Sequence, residues 1–85
     1  MSEIKYQELS IAQLARAVRR EWKNVWYGAE PYLQAMSEIE RPEDSYGHDS
    51  GASVVRGFLV NAQNWRGQVA REVKKELNRR LKGNN

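Results

Sequence analysis

The chain has 85 residues, a formal net charge of +3 and no cysteine. A chain of this length is expected to form one domain with a modest core, because a domain of about 60 residues buries only about 60% of its unfolded surface. The lack of cysteine excludes disulfide bonds and thiolate metal sites. No apolar run approaches the roughly 18 residues of a membrane span and residues 1–10 do not resemble a signal peptide, so we expect a cytoplasmic protein.

The two signs of charge are separated along the sequence. Residues 30–50 contain six acidic residues and one basic residue, a net charge of −5. Residues 66–85 contain seven basic residues and two acidic residues, a net charge of +5. Two interpretations follow: the runs neutralise each other within the fold or between copies of a homo-oligomer, or they form two partner surfaces of opposite sign.

Hydrophobic periodicity predicts an all-α fold, a small bundle of three to four helices with no sheet. The first helix is expected to begin at Ser10, which forms a capping box with Gln13, and its apolar stripe continues to Val25. The whole chain, residues 1–85, is expected to be a single helical domain, in which 1–9 and 83–85 are flexible.

The second helix is predicted to begin near Glu30 and to end near Glu40, because Pro42 disfavours helical backbone at the residue before it. The following segment, residues 41–49, has the composition of an acidic loop.

Asp49 or Ser50 is predicted to cap the third helix, and a break at residues 61–64 would precede a fourth helix that is capped by Asn64. The alternative is one continuous helix from Ser50 to Lys82. The predicted core residues of the whole chain are Ile11, Leu14, Val18, Trp22, Leu33, Met36, Ile39, Val55, Phe58, Leu59, Trp65, Val69, Val73 and Leu77.

The sequence contains little that indicates catalysis. The one histidine lies in the string His48-Asp49-Ser50, and adjacent residues on a short loop do not usually converge as a catalytic triad requires. Metal and nucleotide motifs are absent from the sequence, so neither a metal site nor a cofactor is expected. We therefore expect a protein that is not an enzyme.

The aromatic residues provide a candidate binding surface. Trp22 and Trp26 are four positions apart, so one helical face is predicted to carry both. Trp26 and Tyr27 precede Gly28 at a junction, where their rings either pack in the core or anchor an interface. An anionic loop could also imitate the phosphates that a nucleic-acid enzyme binds. The predicted protein-binding residues are Trp26, Tyr27, Glu40, Glu43, Asp44, Tyr46 and Asp49.

The basic fourth helix supports an alternative, a nucleic-acid-binding accessory or regulatory protein. Its candidate contacts are Arg71, Lys74, Lys75, Arg79 and Lys82. The competing interpretation is a solvated helix face that keeps the protein soluble, with Glu76 and Arg80 paired along the surface.

Two strings of the sequence resemble a group of short uncharacterised all-helical proteins that phages, plasmids and other bacterial mobile elements carry. They are WKNVWYGAEPYL at residues 22–33 and NAQNWRGQVAREVKKELNRRLK at residues 61–82, and YGHDSG at 46–51 adds to the resemblance. The resemblance implies a small accessory protein of a bacterial host's cytoplasm. Proteins of this kind often act by stoichiometric protein–protein binding: some are counter-defence inhibitors of anti-CRISPR or anti-restriction type, and others bind nucleic acid or regulate copy number and transcription. The resemblance carries no catalytic motif.

Overall fold

A computed structural model describes residues 5–83 of the chain. Within this range the fold consists of a 3₁₀ turn, four α-helices and one short β-hairpin. In chain order, these elements are the 3₁₀ turn Tyr6–Glu8, α1 Ile11–Glu21, α2 Glu30–Met36, β1 Ser45–Tyr46, β2 Asp49–Ser50, α3 Gly51–Asn61 and α4 Gln68–Gly83. The flexibility expected of residues 1–4, 84 and 85 lies outside the described residues.

The hairpin shows that the prediction of a fold without a sheet is wrong. Its strands are antiparallel, with Ser45 opposite Ser50 and Tyr46 opposite Asp49. Gly47 adopts a φ of +62° in the two-residue turn between them, a backbone conformation that glycine adopts without steric penalty. Each strand has only two residues, which is too short to show the alternation of apolar and polar residues that identifies a strand in a sequence.

The first two helices begin as predicted and end earlier. The capping box at the start of α1 is confirmed, since the Ser10 N–H donates to Gln13 Oε1 and the Gln13 N–H donates to Ser10 Oγ. However, α1 ends at Glu21, so the predicted helical face shared by Trp22 and Trp26 is wrong: Trp22 already leaves the helix with a ψ of 93°. The second helix, α2, ends at Met36 and continues only as turns.

The last two helices are separate, which excludes the continuous helix from Ser50 to Lys82. Ser50 caps α3 as predicted, with its side chain accepting the Ser53 N–H at 3.1 Å. Residues 62–67 connect the two helices, so α4 begins later than the predicted cap, Asn64.

Helices α1 and α4 lie against each other: the end of α1 contacts the segment that leads into α4, and the 3₁₀ turn before α1 contacts the last turns of α4. Where α1 ends, the Trp22 ring stacks on Trp65 with 5.8 Å between centroids and meets Phe58 edge-on.

Twelve of the predicted core residues are buried, whereas Leu59 and Val69 are partly exposed. The buried residues that were not predicted are Tyr6, Ala15, Ala17, Ala29, Ala35, Pro42, Gly51, Ala52, Val54, Ala62, Ala70 and Glu76. None of the helices within residues 5–83 has the length and apolar content to cross a bilayer.

Candidate interaction surfaces

The residues predicted to bind a protein lie at opposite ends of α1. The segment with Trp26 and Tyr27 follows the carboxyl end of this helix, whereas the Glu40 carbonyl accepts the Ile11 N–H, at 2.9 Å, at its amino end. The helix has 11 residues and is therefore about 16 Å long. We call residues 22–30 with 65–67 the aromatic end, and residues 40–50 the acidic end.

Two neighbouring aromatic rings are exposed at the aromatic end. The Trp26 side chain is 42% exposed and Tyr27 is 76% exposed, and their ring centroids lie 4.2 Å apart at a tilt of 52°. Their backbone forms the turn into α2, where the Trp26 carbonyl accepts the Ala29 N–H and the Tyr27 carbonyl accepts the Glu30 N–H. The rings are thus presented to solvent on a hydrogen-bonded turn.

The Trp26 indole lies over Gly28. A Cβ atom at Gly28 would overlap with the indole and would come within 2.9 Å of Oδ1 of Asn61, the last residue of α3. Asn61 is itself oriented, because its Nδ2 donates to the Gly57 carbonyl at 2.9 Å. The position of the indole therefore depends on the missing side chain at Gly28.

The aromatic end carries a net positive charge. Glu30, the one acidic residue among residues 22–30 and 65–67, is paired with Arg19 at 2.6 Å. Lys23 and Arg66 are exposed, and no carboxylate within residues 5–83 lies within 4 Å of either.

Lys74, a candidate nucleic-acid contact, has a structural role next to the aromatic end. Its Nζ donates to the Trp65 carbonyl at 2.6 Å and lies 6.0 Å from the centre of the Trp65 ring. Partial burial lowers the pKa of Lys74, and the charge of Arg66 lowers it further. Because the Trp65 carbonyl that binds Lys74 Nζ directly precedes Arg66, the two cations lie near each other and repel.

Part of the negative charge at the acidic end is already hydrogen-bonded to backbone N–H groups of the loop. Asp44 Oδ2 accepts the backbone N–H groups of Glu40 and Arg41 at 2.9 and 3.1 Å, and these two bonds hold the pKa of Asp44 below its usual value. Glu43 and Asp49 have exposed side chains. Tyr46 is partly buried against the core, so little of its ring is available for a partner.

The acidic end also lies next to the end of α4. Glu40 and Glu43 line the same open groove as Arg79 and Arg80. The two oppositely charged sequence runs therefore approach each other at this groove, but within residues 5–83 no ion pair of 4 Å or less joins them, since Arg79 and Arg80 bind Glu76.

The basic face of α4 is smaller than the sequence predicted. Arg71, Lys75 and Lys82 are exposed, and within the described residues none of them has a carboxylate within 4 Å. Lys74 is held by the Trp65 carbonyl, and Arg79 is paired with Glu76. Three of the five predicted contacts thus remain as unpaired cations.

The sequence analysis placed the Glu76–Arg80 pair on the surface, whereas Glu76 is buried and binds two arginines. Its carboxylate accepts Arg79 Nε and Nη2 at 2.9 and 2.6 Å, and Arg80 Nε at 2.6 Å. Arg80 Nη2 also donates to the Tyr6 carbonyl at 3.0 Å. The hydrogen bonds from Arg79 and Arg80 lower the pKa of Glu76 despite its burial. This cluster fastens the 3₁₀ turn to α4, and its only signal in the sequence is an acid placed three and four residues before bases.

Within residues 5–83 no three His, Cys, Asp or Glu side chains are grouped so that they could hold a metal ion. No family model matches the chain, and no curated protein or solved structure shows significant similarity to it.

Proposed function

We propose that this protein is a non-enzymatic binding module that contacts a partner protein stoichiometrically through Trp26 and Tyr27. The observation that supports this most directly is their exposure. The described residues contain three exposed large hydrophobic side chains, and two of them are these neighbours. Tryptophan and tyrosine are enriched among the residues that dominate protein–protein binding energy.

The local backbone supports the same proposal. The turn from Trp26 to Glu30 is hydrogen-bonded, and Gly28 allows the indole to lie against the end of α3. A ring that is already oriented loses less conformational entropy when it binds than a mobile ring does. Both anchors are therefore suited to insertion into a pocket on a partner.

The acidic end is not part of the proposed contact. It lies about 16 Å away along α1, and one of its carboxylates, Asp44, is occupied by backbone N–H groups. Imitation of phosphates by this loop is thus less well supported than anchoring by the aromatic pair. The resemblance to proteins of mobile elements provides the biological setting of the proposal, a counter-defence inhibitor in a bacterial cytoplasm.

The proposal is tested by affinity capture from a nuclease-treated bacterial lysate. The bait is the wild-type protein, the double variant Trp26→Ala/Tyr27→Ala, or a matched control, Val60→Ala, which removes the third exposed hydrophobic side chain. We expect one stoichiometric protein with the wild type and the control, and its loss with the double variant. Circular dichroism checks that all three baits are folded. Equal capture by the double variant, or no protein after nuclease treatment, would overturn the proposal.

A second candidate function is nucleic-acid binding by α4, which the exposed cations Arg71, Lys75 and Lys82 favour. From Arg71 to Lys82 these positions follow one side of the helix over about 16 Å. If each cation neutralises one phosphate, replacing all three by glutamine should reduce the slope of log affinity against log salt by about 3. Fluorescence anisotropy with mixed-sequence duplex and single strands measures the slope. Absent or salt-independent binding would eliminate this candidate.

A further inference from the structure

We infer that the partner of the aromatic end is an acidic protein segment, one that presents aspartate or glutamate side chains beside an apolar pocket. The inference rests on the proposed function and adds the chemistry of the partner to it. It depends on the charges around Trp26 and Tyr27, and on how the two rings are arranged.

The cations around the rings lack internal partners. Lys23 belongs to the same segment as Trp26, and the stacking of Trp22 on Trp65 brings the neighbouring Arg66 to the same end of the fold. Neither cation has a carboxylate within 4 Å among residues 5–83. Their charge is therefore available to a partner.

The fold also places like charges together at this end. Burial and then the charge of Arg66 lower the pKa of Lys74, and within residues 5–83 its ammonium donates one hydrogen bond, to the Trp65 carbonyl. Repulsion between two cations without an anion destabilises the fold slightly, and a carboxylate from a partner would relieve it. The acidic end differs, because its Asp44 carboxylate accepts two backbone N–H groups, and the arginines that line the groove beside its glutamates bind Glu76.

The arrangement of the rings favours a protein over a single-stranded nucleic acid. Trp26 and Tyr27 contact each other at 4.2 Å between centroids with a tilt of 52°, and together form a compact apolar projection. Successive bases stack on ring faces that are spaced along a basic groove. A projection of two touching rings beside cations instead matches a pocket with an acidic rim, since charge complementarity fixes the register of such contacts.

The inference is tested with a displayed library of random peptides. The library is selected on the wild-type protein and counter-selected on Trp26→Ala/Tyr27→Ala. We expect the enriched peptides to combine aspartate or glutamate with an apolar anchor. The most enriched peptide is then synthesised and its affinity measured by calorimetry.

Two charge variants make the test quantitative. Lys23→Gln/Arg66→Gln is expected to weaken binding of this peptide about three- to tenfold at low salt, with a smaller difference at high salt. The matched control, Lys75→Gln/Lys82→Gln, changes the net charge equally on α4 and is expected to weaken binding less than about twofold.

Each other outcome contradicts the inference in a different way. If the enriched peptides are neutral or basic and their binding requires Trp26, the partner is not acidic, whereas the proposed protein contact is still supported. Absence of any peptide that depends on Trp26 would overturn both. Tighter binding of oligothymidylate than of the peptide, lost in Trp26→Ala/Tyr27→Ala, would identify a single-stranded nucleic acid as the ligand instead.

Discussion

The aromatic end and the acidic end differ in how much of their interaction capacity the fold already uses. At the acidic end, Asp44 accepts two backbone N–H groups through Oδ2, and the glutamates line one groove with Arg79 and Arg80, which bind Glu76. At the aromatic end, two rings are exposed and Lys23 and Arg66 lack a carboxylate partner within the described residues. The comparison shows that a run of charge in a sequence differs from a charged surface, because capping and ion pairing occupy part of the run.

The largest expected effect separates the two kinds of tryptophan at the aromatic end. Trp65→Ala should lower the free energy of unfolding by about 3–5 kcal/mol, because Trp65 is buried and stacks on Trp22. Trp26→Ala should lower it by about 1 kcal/mol or less, because its ring is 42% exposed. Chemical denaturation measures both values. Similar losses in the two variants would show that Trp26 is a core residue and would remove it as an interface anchor.

The next effect concerns the ion-pair cluster of α4, next to the acidic end. Glu76→Gln should lower the free energy of unfolding by about 2–3 kcal/mol, because two arginines lose a buried anionic acceptor. Glu72→Gln, four residues earlier and exposed, is the matched control and should change it by less than about 0.5 kcal/mol. If Glu76→Gln behaves like the control, the cluster does not hold the 3₁₀ turn to α4; hydrogen exchange at Gln7, Glu8 and Leu9 provides a direct check.

A smaller effect is expected from pH. The pKa values of Asp44 and Glu76 are lowered in the folded protein. In the unfolded chain the pKa values of such carboxyl groups are about 3.9 and 4.3, so at a pH well above these both carboxylates contribute their full stabilisation. As the pH falls from there through the lowered folded values, the unfolded chain binds more protons than the folded one and stability decreases. Denaturation midpoints measured across this range should fall, and should fall less steeply in Glu76→Gln. An identical slope in that variant would contradict the assignment to Glu76.

The smallest expected effect on stability is that of Gly28→Ala, which tests what determines the position of the Trp26 indole at the aromatic end. Gly28→Ala should displace the Trp26 indole, since a Cβ would overlap with it, while the buried rings of Trp22 and Trp65 stay in place. Fluorine NMR of the fluorotryptophan-labelled protein should show one shifted resonance of three, because the chain has three tryptophans. Partner affinity should decrease if the position of the indole matters for binding. Three unchanged resonances would show that Gly28 does not determine it.

Short-range signals predicted the beginnings of helices well. The capping box of Ser10 and the cap at Ser50 each satisfy an amide only three residues away, so the sequence contains the whole interaction. The end of α1 could not be predicted in this way. Apolar periodicity continues to Val25, but Trp22 turns away from the helix and stacks on Trp65, a residue 43 positions later.

The candidate surfaces were predicted only in part, for the same reason. Trp26 and Tyr27 were recognised as candidates because they precede a glycine at a helix junction, and their exposure depends on how that junction folds. Asp44 and Lys74 looked like free charges in the sequence, yet each is bound to backbone groups of a connecting segment. A sequence records which charges are present, but the path of the backbone decides which N–H and carbonyl groups come within hydrogen-bond distance of them.

By itself, the sequence determined the helical character of the chain, the residues that cap α1 and α3, and most of the buried side chains, because periodicity and capping act over a few positions. Only the tertiary structure decided that the hairpin forms, that Glu76 is buried between arginines, and that the aromatic and acidic residues lie at opposite ends of α1. The burial of Glu76 beneath the 3₁₀ turn and the placement of the two ends depend on contacts between distant segments, which a sequence does not record. The hairpin is local, but its two-residue strands are too short to show a periodic pattern.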